Sequence, residues 1–201
     1  MVNPRKEISD ISANHDGRLR RSAESQQKII MATIALIKEG DLMPSAQDVA
    51  IRAGVGLRSV FRHYNDMETL FAMINRQLIA QYNSRISTPL VDMSQSVDAR
   101  LNDLINIRLS IYEVEQNIFR TTLAQQWRYG VLRENYNRLL KSFDKHALKV
   151  LPEIKKHDSD QQLVILGLLS FEFWDLNTRQ RGLSFGKVKK LIFKGIIQAL
   201  K

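Results

Sequence analysis

The stretch Ser45 to Tyr64, SAQDVAIRAGVGLRSVFRHY, leaves the chain few ways to fold. Ser45 with Asp48 three residues on makes the pattern in which each side chain satisfies an orphan backbone N–H at a helix start. Val49, Ala50 and Ala53 supply a small apolar face. Gly54 ends the helix, because glycine adopts the left-handed conformation without a Cβ clash. Val55 plugs the turn, and Gly56 stands as N-cap of a second helix, Leu57 to Tyr64. Small residues at the junction let two helices cross steeply, as in a helix-turn-helix.

At 100° per residue the second helix separates its faces. Val60 and Tyr64 point inward, and Leu57, Arg58, Phe61 and Arg62 share the opposite side. Ser59 and His63 lie between. No acid occurs from Val49 to Asn65, whereas Arg52, Arg58, Arg62 and His63 do. An exposed helix with two arginines and no acid suits a DNA major groove. Arginine forks onto guanine, and Ser or His can hold a phosphate. The same spacing also fits a helical hairpin with a solvated basic face.

The run Ala50 to Tyr64, followed by Met67-Glu68-Thr69-Leu70, resembles the DNA-binding domain of the tetracycline-repressor (TetR) family. The resemblance covers about Ser25 to Phe71. It implies an all-α repressor, usually homodimeric, that leaves its operator when a small ligand binds. It places Ser45, Ser59, Phe61 and His63 at phosphate-contacting positions. Leu57, Arg58 and Arg62 take positions facing bases or nearby phosphates, and Gly56 caps the helix that carries them. Four positions depart from the common pattern. Gly56 stands where serine is frequent, Arg58 where glycine is, Phe61 where tyrosine is, and Met67 where lysine is. The last two remove phosphate contacts, and Arg58 adds a base reader particular to this chain.

The 201 residues suffice for one such head and one larger helical domain. The formal charge of +9 is misleading as an argument for nucleic acid. Residues 1–75 hold 10 Lys and Arg against 9 Asp and Glu, and residues 76–201 hold 20 against 12. The DNA argument therefore rests on the local face. The C-terminal excess reads as solvated surface, as an attractor for an anionic ligand, or as a neighbour of DNA flanks. The absence of cysteine excludes disulfides and thiolate metal sites and fits a reducing cytoplasm. No apolar signal core and no run long enough to span a bilayer occurs.

Along the chain, 1–21 reads as a flexible basic arm ending in Arg18-Leu19-Arg20-Arg21. Such a cluster could enter a minor groove or serve as a solubilising tail. The head spans 22–66, with its first helix at Ser25 to Glu39. A connecting helix, 67–84, opens on an Asn65/Glu68 capping pattern, and Ser87-Thr88-Pro89 breaks it. The domain 85–201 is expected to hold helices at 96–113, 114–129, 131–151, 159–177 and 184–200, making about nine in all and no strand. It is read as the ligand-binding and dimerisation domain. Leu163 to Phe171 is apolar nearly all round and needs cover on more than one side. Leu163, Leu166, Ser170, Trp174, Val188, Leu191 and Ile192 on the last two helices are therefore candidates for a homodimer interface.

A ligand pocket is implied only by the resemblance. Tyr112, Phe119, Trp127, Tyr136 and Phe143 are its candidate lining residues, and ordinary core is the alternative for each. Arg108 and Arg128 could pair with an acidic ligand. Gly54-Val55-Gly56-Leu57-Arg58-Ser59 lacks the preceding strand of a nucleotide loop. His15, His63, His146 and His157 are scattered, so neither a metal site nor a cofactor is expected. No catalytic constellation occurs, and an enzyme is not expected. The expected partners are an inverted-repeat duplex operator, a second copy of the chain and a small effector, with no membrane. An activator or dual regulator with the same head, a helical adaptor, or a small-molecule-binding protein without operator function are the alternatives.

Overall fold

The computed structural model describes residues 4–87 and 91–201. Among these, nine α-helices, one 3-10 turn and one π turn form the whole regular structure. None of the helices is long and apolar enough to cross a membrane. The chain divides into two compact units, one ending at Ile74 and the other running from Asn75 to Lys201.

In the first unit, α1 runs Pro4–Lys38, α2 Ala46–Ala53 and α3 Leu57–His63. The segment 1–21, expected as an arm without regular structure, is helical from Pro4 onward; Met1–Asn3 lie outside the described residues. Proline is tolerated in the first helical turn, where its missing N–H would be unpaired anyway. No second proline follows before Pro44, and the cost of Gly17, about 1 kcal/mol, is too small to stop the helix. Ile29, Ile30, Thr33 and Ile37 form the buried stripe of α1. Gly40, at φ 107°, turns the chain after α1, and the N–H of Asp41 reaches back to the Leu36 carbonyl. Val49, Ala50, Val60, Tyr64, Leu70 and Phe71 complete this core.

Helix α4 spans Met67–Ser87. Its cap is Asp66 rather than the expected Asn65. The Asp66 carboxylate accepts from both the backbone N–H and the hydroxyl of Thr69, at 2.7 and 2.9 Å. Of the expected break, Thr88 and Pro89 lie outside the described residues.

In the second unit, α5 covers Val97–Gln125, α6 Gly130–Val150, α7 Ser159–Leu168, α8 Phe171–Asp175 and α9 Phe185–Ala199. The two helices expected at 96–113 and 114–129 meet at a kink at Glu115, whose φ and ψ of −112° and 16° leave the helical region; the second of them ends at Gln125. Packing is centred on α5, against which α6, α8 and α9 lie. Arg100 ties the start of α5 to the end of α6. Its guanidinium donates to the Gln95 and Val150 carbonyls and pairs with Glu153 in the 3-10 turn Pro152–Lys156.

The helix expected at 159–177 is broken after Leu168. Ser170 starts a new one by accepting the Phe173 N–H at 3.1 Å. A break exposes carbonyls that lack partners in their own helix. The Tyr112 hydroxyl of α5 donates to the Leu169 carbonyl at 2.8 Å, so this buried group is satisfied from across the core. The π turn Leu176–Gln180 follows α8, and Gly182, at φ 64°, carries the chain to Ser184, the cap of α9.

Candidate functional site

The two short helices of the first unit, α2 and α3, are joined by a tight turn and pack on each other and on α1. At the start of α2, the Ser45 hydroxyl accepts the Asp48 N–H while the Asp48 carboxylate accepts the Ser45 N–H, each at 3.2 Å. The serine hydroxyl also donates to that carboxylate, and these bonds hold Asp48 below its ordinary pKa. The proton that Ser45 would offer a phosphate is thus engaged by a neighbouring anion. At the turn, Gly54 sits at φ 65° and the Val55 N–H returns to the Ala50 carbonyl at 3.1 Å. Gly56 precedes α3 in extended conformation without any side-chain cap.

Helix α3 buries Val60, with Tyr64 buried just after it, and turns the other face outward. Leu57 and Phe61 are 39% and 46% exposed, and Arg58 and Arg62 are exposed beside them. Among the described residues no carboxylate pairs with either arginine, whereas Arg52 on α2 is held by Glu39 at the end of α1. The basic face is therefore narrower than the sequence count suggested, and its cations are Arg58 and Arg62. Ser59 and His63 are half-buried flanks. Burial, and then Arg62, push the His63 pKa below the usual histidine range, and its Nε2 is shut from solvent without a partner. Both effects disfavour a charged His63 as a phosphate contact.

In the second unit, four of the five candidate pocket residues meet in one aromatic cluster. Tyr112 lies 5.3 Å from Phe119 and 6.2 Å from Phe143, ring centre to ring centre. Phe171 stacks on Phe119 at 4.7 Å, and Trp174 closes on Tyr112 at 6.0 Å. Tyr136 stands 6.4 Å from Phe119 and commits its hydroxyl to Glu172 at 2.8 Å. Trp127 does not belong to the group. It is 77% exposed in the turn after α5, because the helix ends at Gln125 before its stripe can carry Trp127 inward. Arg108 is buried against the Phe143 ring, 3.9 Å from its centre, and donates to the Phe143 carbonyl. Arg128 lies over Tyr129 at 5.2 Å.

The cluster leaves a cavity of about 10 Å³ between α4, α5 and α6, enough for about one water. Phe119 and Tyr136 line it with Ile118, Leu139, Thr122 and Asn135. The amide Nδ2 of Asn135 is buried there without a partner. Sequence reasoning missed this residue, since one asparagine on an apolar stripe carries no spacing signal.

No family model and no curated protein matches the sequence. Solved structures do match. A transcriptional regulator from Rhodococcus sp. Rha1 superposes with a TM-score of 0.68 at 16% identity, over 87% of this chain and 95% of the other. A TetR transcriptional regulator from Rhodococcus sp. RHA1 gives 0.56 at 16% identity, over 90% and 97%. The transcriptional regulator FadR from Bacillus subtilis, in complex with stearoyl-CoA, gives 0.63 at 16% identity, over 86% and 98%. This chain has the TetR-type regulator fold.

Within this chain, the residues expected to meet a second subunit divide. Val188, Ile192 and Trp174 are buried in their own unit and are not available as surface. The stripe of α9 that carries Val188 and Ile192 faces α5 and α7 instead, four residues apart and hence on one side. Leu163 is 68% exposed, Leu191 is exposed, and Leu166 and Ser170 are half-buried. Val164, which sequence reasoning passed over, is 58% exposed beside Leu163. Close approach of α7 and α9 is permitted by Gly195, where a Cβ would sit 3.0 Å from Leu168.

Proposed function

We propose that this protein is a ligand-responsive, DNA-binding transcriptional regulator, acting as a repressor that binds an inverted-repeat operator as a homodimer. The observation that carries the reading is the outer face of α3. It presents Arg58 and Arg62 beside Leu57 and Phe61, exposed and with no carboxylate partner among the described residues. Two such helices in a dimer enter successive major grooves about 34 Å apart and read base edges there. Arg58 and Arg62 fork onto guanines, Ser59 and the peptide groups around Gly56 approach phosphates, and Leu57 and Phe61 pack on sugar and thymine methyl surface. His63 and Ser45 position the backbone more than they bind it. The exposed leucines of α7 and α9, with Val164, supply the self-complementary surface that a twofold operator requires.

The effector is a small molecule that opens the α4–α5–α6 cavity, with Phe119 and Tyr136 as walls and the Asn135 amide as donor to an acceptor atom. Two regulators of like fold support a ligand at all: FadR is bound to stearoyl-CoA, and the multidrug binding protein EbrR is complexed with imidazole. The ligand releases DNA by binding more tightly to a dimer whose heads miss the groove spacing. This is a binding protein of a reducing cytoplasm and not an enzyme.

Selection from a random duplex library with purified protein at fixed salt tests the reading. Enrichment of an inverted repeat, with half-sites about 10 bp apart centre to centre, is expected. Folded protein that enriches nothing, in the presence and absence of cell metabolites, overturns it in favour of an adaptor role. A reporter placed behind the selected repeat then separates repression from activation.

A further inference from the structure

Four of the 20 Lys and Arg of residues 76–201 are gathered in one place. Lys141, Lys145 and Lys149 recur every four residues on α6 and so stack along one stripe. Lys155 joins them from the 3-10 turn. The four side chains rim an open groove of about 600 Å³, whose lining is completed by Asp144, Leu148 and Pro152. Among the described residues none of the four lysines has a carboxylate within ion-pairing distance.

The acids that could neutralise them are engaged elsewhere. Glu153, between Pro152 and Lys155, is held by Arg100. Asp144 is partly buried, its carboxyl is raised by that burial, and the cation it senses is the buried Arg108 rather than a rim lysine. A second group reports the same local field. The His146 imidazole is pushed down to about 4, first by burial and then by Arg108 and Lys149. The region thus holds four rim cations and one buried cation, with a single carboxyl turned toward the latter.

We propose that this groove binds a small phosphorylated anion of the nucleoside diphosphate class, with its phosphates on the lysines and its flat apolar part against Leu148 and Pro152. Lysine serves phosphate as a mobile point charge, which suits a rim converging from two elements. The volume lies within the range of small-ligand pockets. A duplex backbone calls for charges spread along a ridge, whereas these converge on a concavity. The proposal does not rest on the DNA reading of α3, and its site shares no residue with the α4–α5–α6 cavity.

Calorimetric titration of the full chain with ADP, and separately with inorganic pyrophosphate, tests it. A single ADP per chain is expected, with weaker binding of pyrophosphate, which lacks the apolar part. Lys145→Glu with Lys149→Glu should weaken ADP binding about a hundredfold, about tenfold for each lost charged contact. Lys190→Glu on α9, which changes the net charge by half as much, should alter it by no more than about twofold. Circular dichroism establishes that each variant folds, and operator binding by the same variants separates failure here from failure of the DNA reading. The proposal falls if neither ADP nor pyrophosphate gives heat, or if Lys190→Glu weakens ADP as much as the groove variants. It falls equally if the groove lysines bind a random duplex and no ADP, which would make the groove a nucleic-acid surface.

Discussion

Replacing Arg58 and Arg62 with alanine, singly, separates base reading from every other role of α3. Both side chains are exposed and have no carboxylate partner among the described residues. Their removal leaves no buried group unsatisfied, so stability should stay within about 0.5 kcal/mol. Binding should not be so tolerant. A bidentate arginine–guanine contact discriminates by about 1–3 kcal/mol. A twofold complex makes each contact twice, so each variant should lose about 2–6 kcal/mol, or roughly 30-fold to more than 10⁴-fold in affinity. Fluorescence anisotropy with the selected operator and with a scrambled duplex, at several salt concentrations, measures both the size and the kind of loss. Base readers lose affinity for the operator and little for the scrambled duplex. Phosphate contacts lose affinity for both, with the salt slope reduced by about 0.9 per contact. Arg52→Ala is the control, since that arginine is occupied by Glu39 and should leave operator affinity unchanged. Unchanged operator binding in both α3 variants would refute the assignment of α3 as the reading helix.

Three further outcomes follow from the packing. Gly54→Ala forces a Cβ into a left-handed conformation and should lower stability by about 1–2 kcal/mol in thermal unfolding, with operator affinity falling as the turn loosens. Tyr112→Phe strips the buried Leu169 carbonyl of its donor and should cost about 1–3 kcal/mol in urea unfolding; an unchanged midpoint would mean the helix break needs no support from α5. The Arg100 hydrogen bonds hold the Glu153 carboxyl below its ordinary pKa, so its contribution is fully present above about pH 4.3 and fades as pH falls through the lower, folded-state value. Glu153→Gln should therefore flatten the loss of stability between pH 5 and pH 3, and an unaltered acid limb would exclude that pair as its source.

The parts of the fold that were legible in the sequence are those fixed by neighbours in the chain. Ser45 with Asp48, Gly54 at the turn, and the inward pair Val60 and Tyr64 are all local patterns, and each has one good geometric solution. Ser184 as a cap and the apolar stripe of α9 belong to the same kind. The features that were not legible depend on partners far away. The break at Leu169 is held by a tyrosine 57 positions earlier, which no window around residue 169 contains. Pro4 to Arg21 lacks an apolar stripe, and its helix comes from propensity and continuity with α1. Trp127 misled because aromatic spacing alone does not say where a helix stops, and Val188 and Ile192 because an apolar stripe does not say which neighbour covers it. His63 and Ser45 lie in the first unit, and their burial and internal bonding, which limit what they can offer a phosphate, appear only in three dimensions.

If the effector enters beside Phe119 and Tyr136, as proposed, the nearly filled cavity there sets a threshold for response. A molecule larger than a water must meet a minor conformation in which those rings have moved, and its apparent affinity is the intrinsic one multiplied by the share of time that conformation exists. If the open form is populated about one part in a hundred, an intrinsically nanomolar ligand acts at about a tenth of a micromolar. Substitutions that loosen the rings without touching the ligand would thus lower the concentration at which the switch trips. Sensitivity in this protein is then a property of its aromatic packing as much as of its ligand contacts.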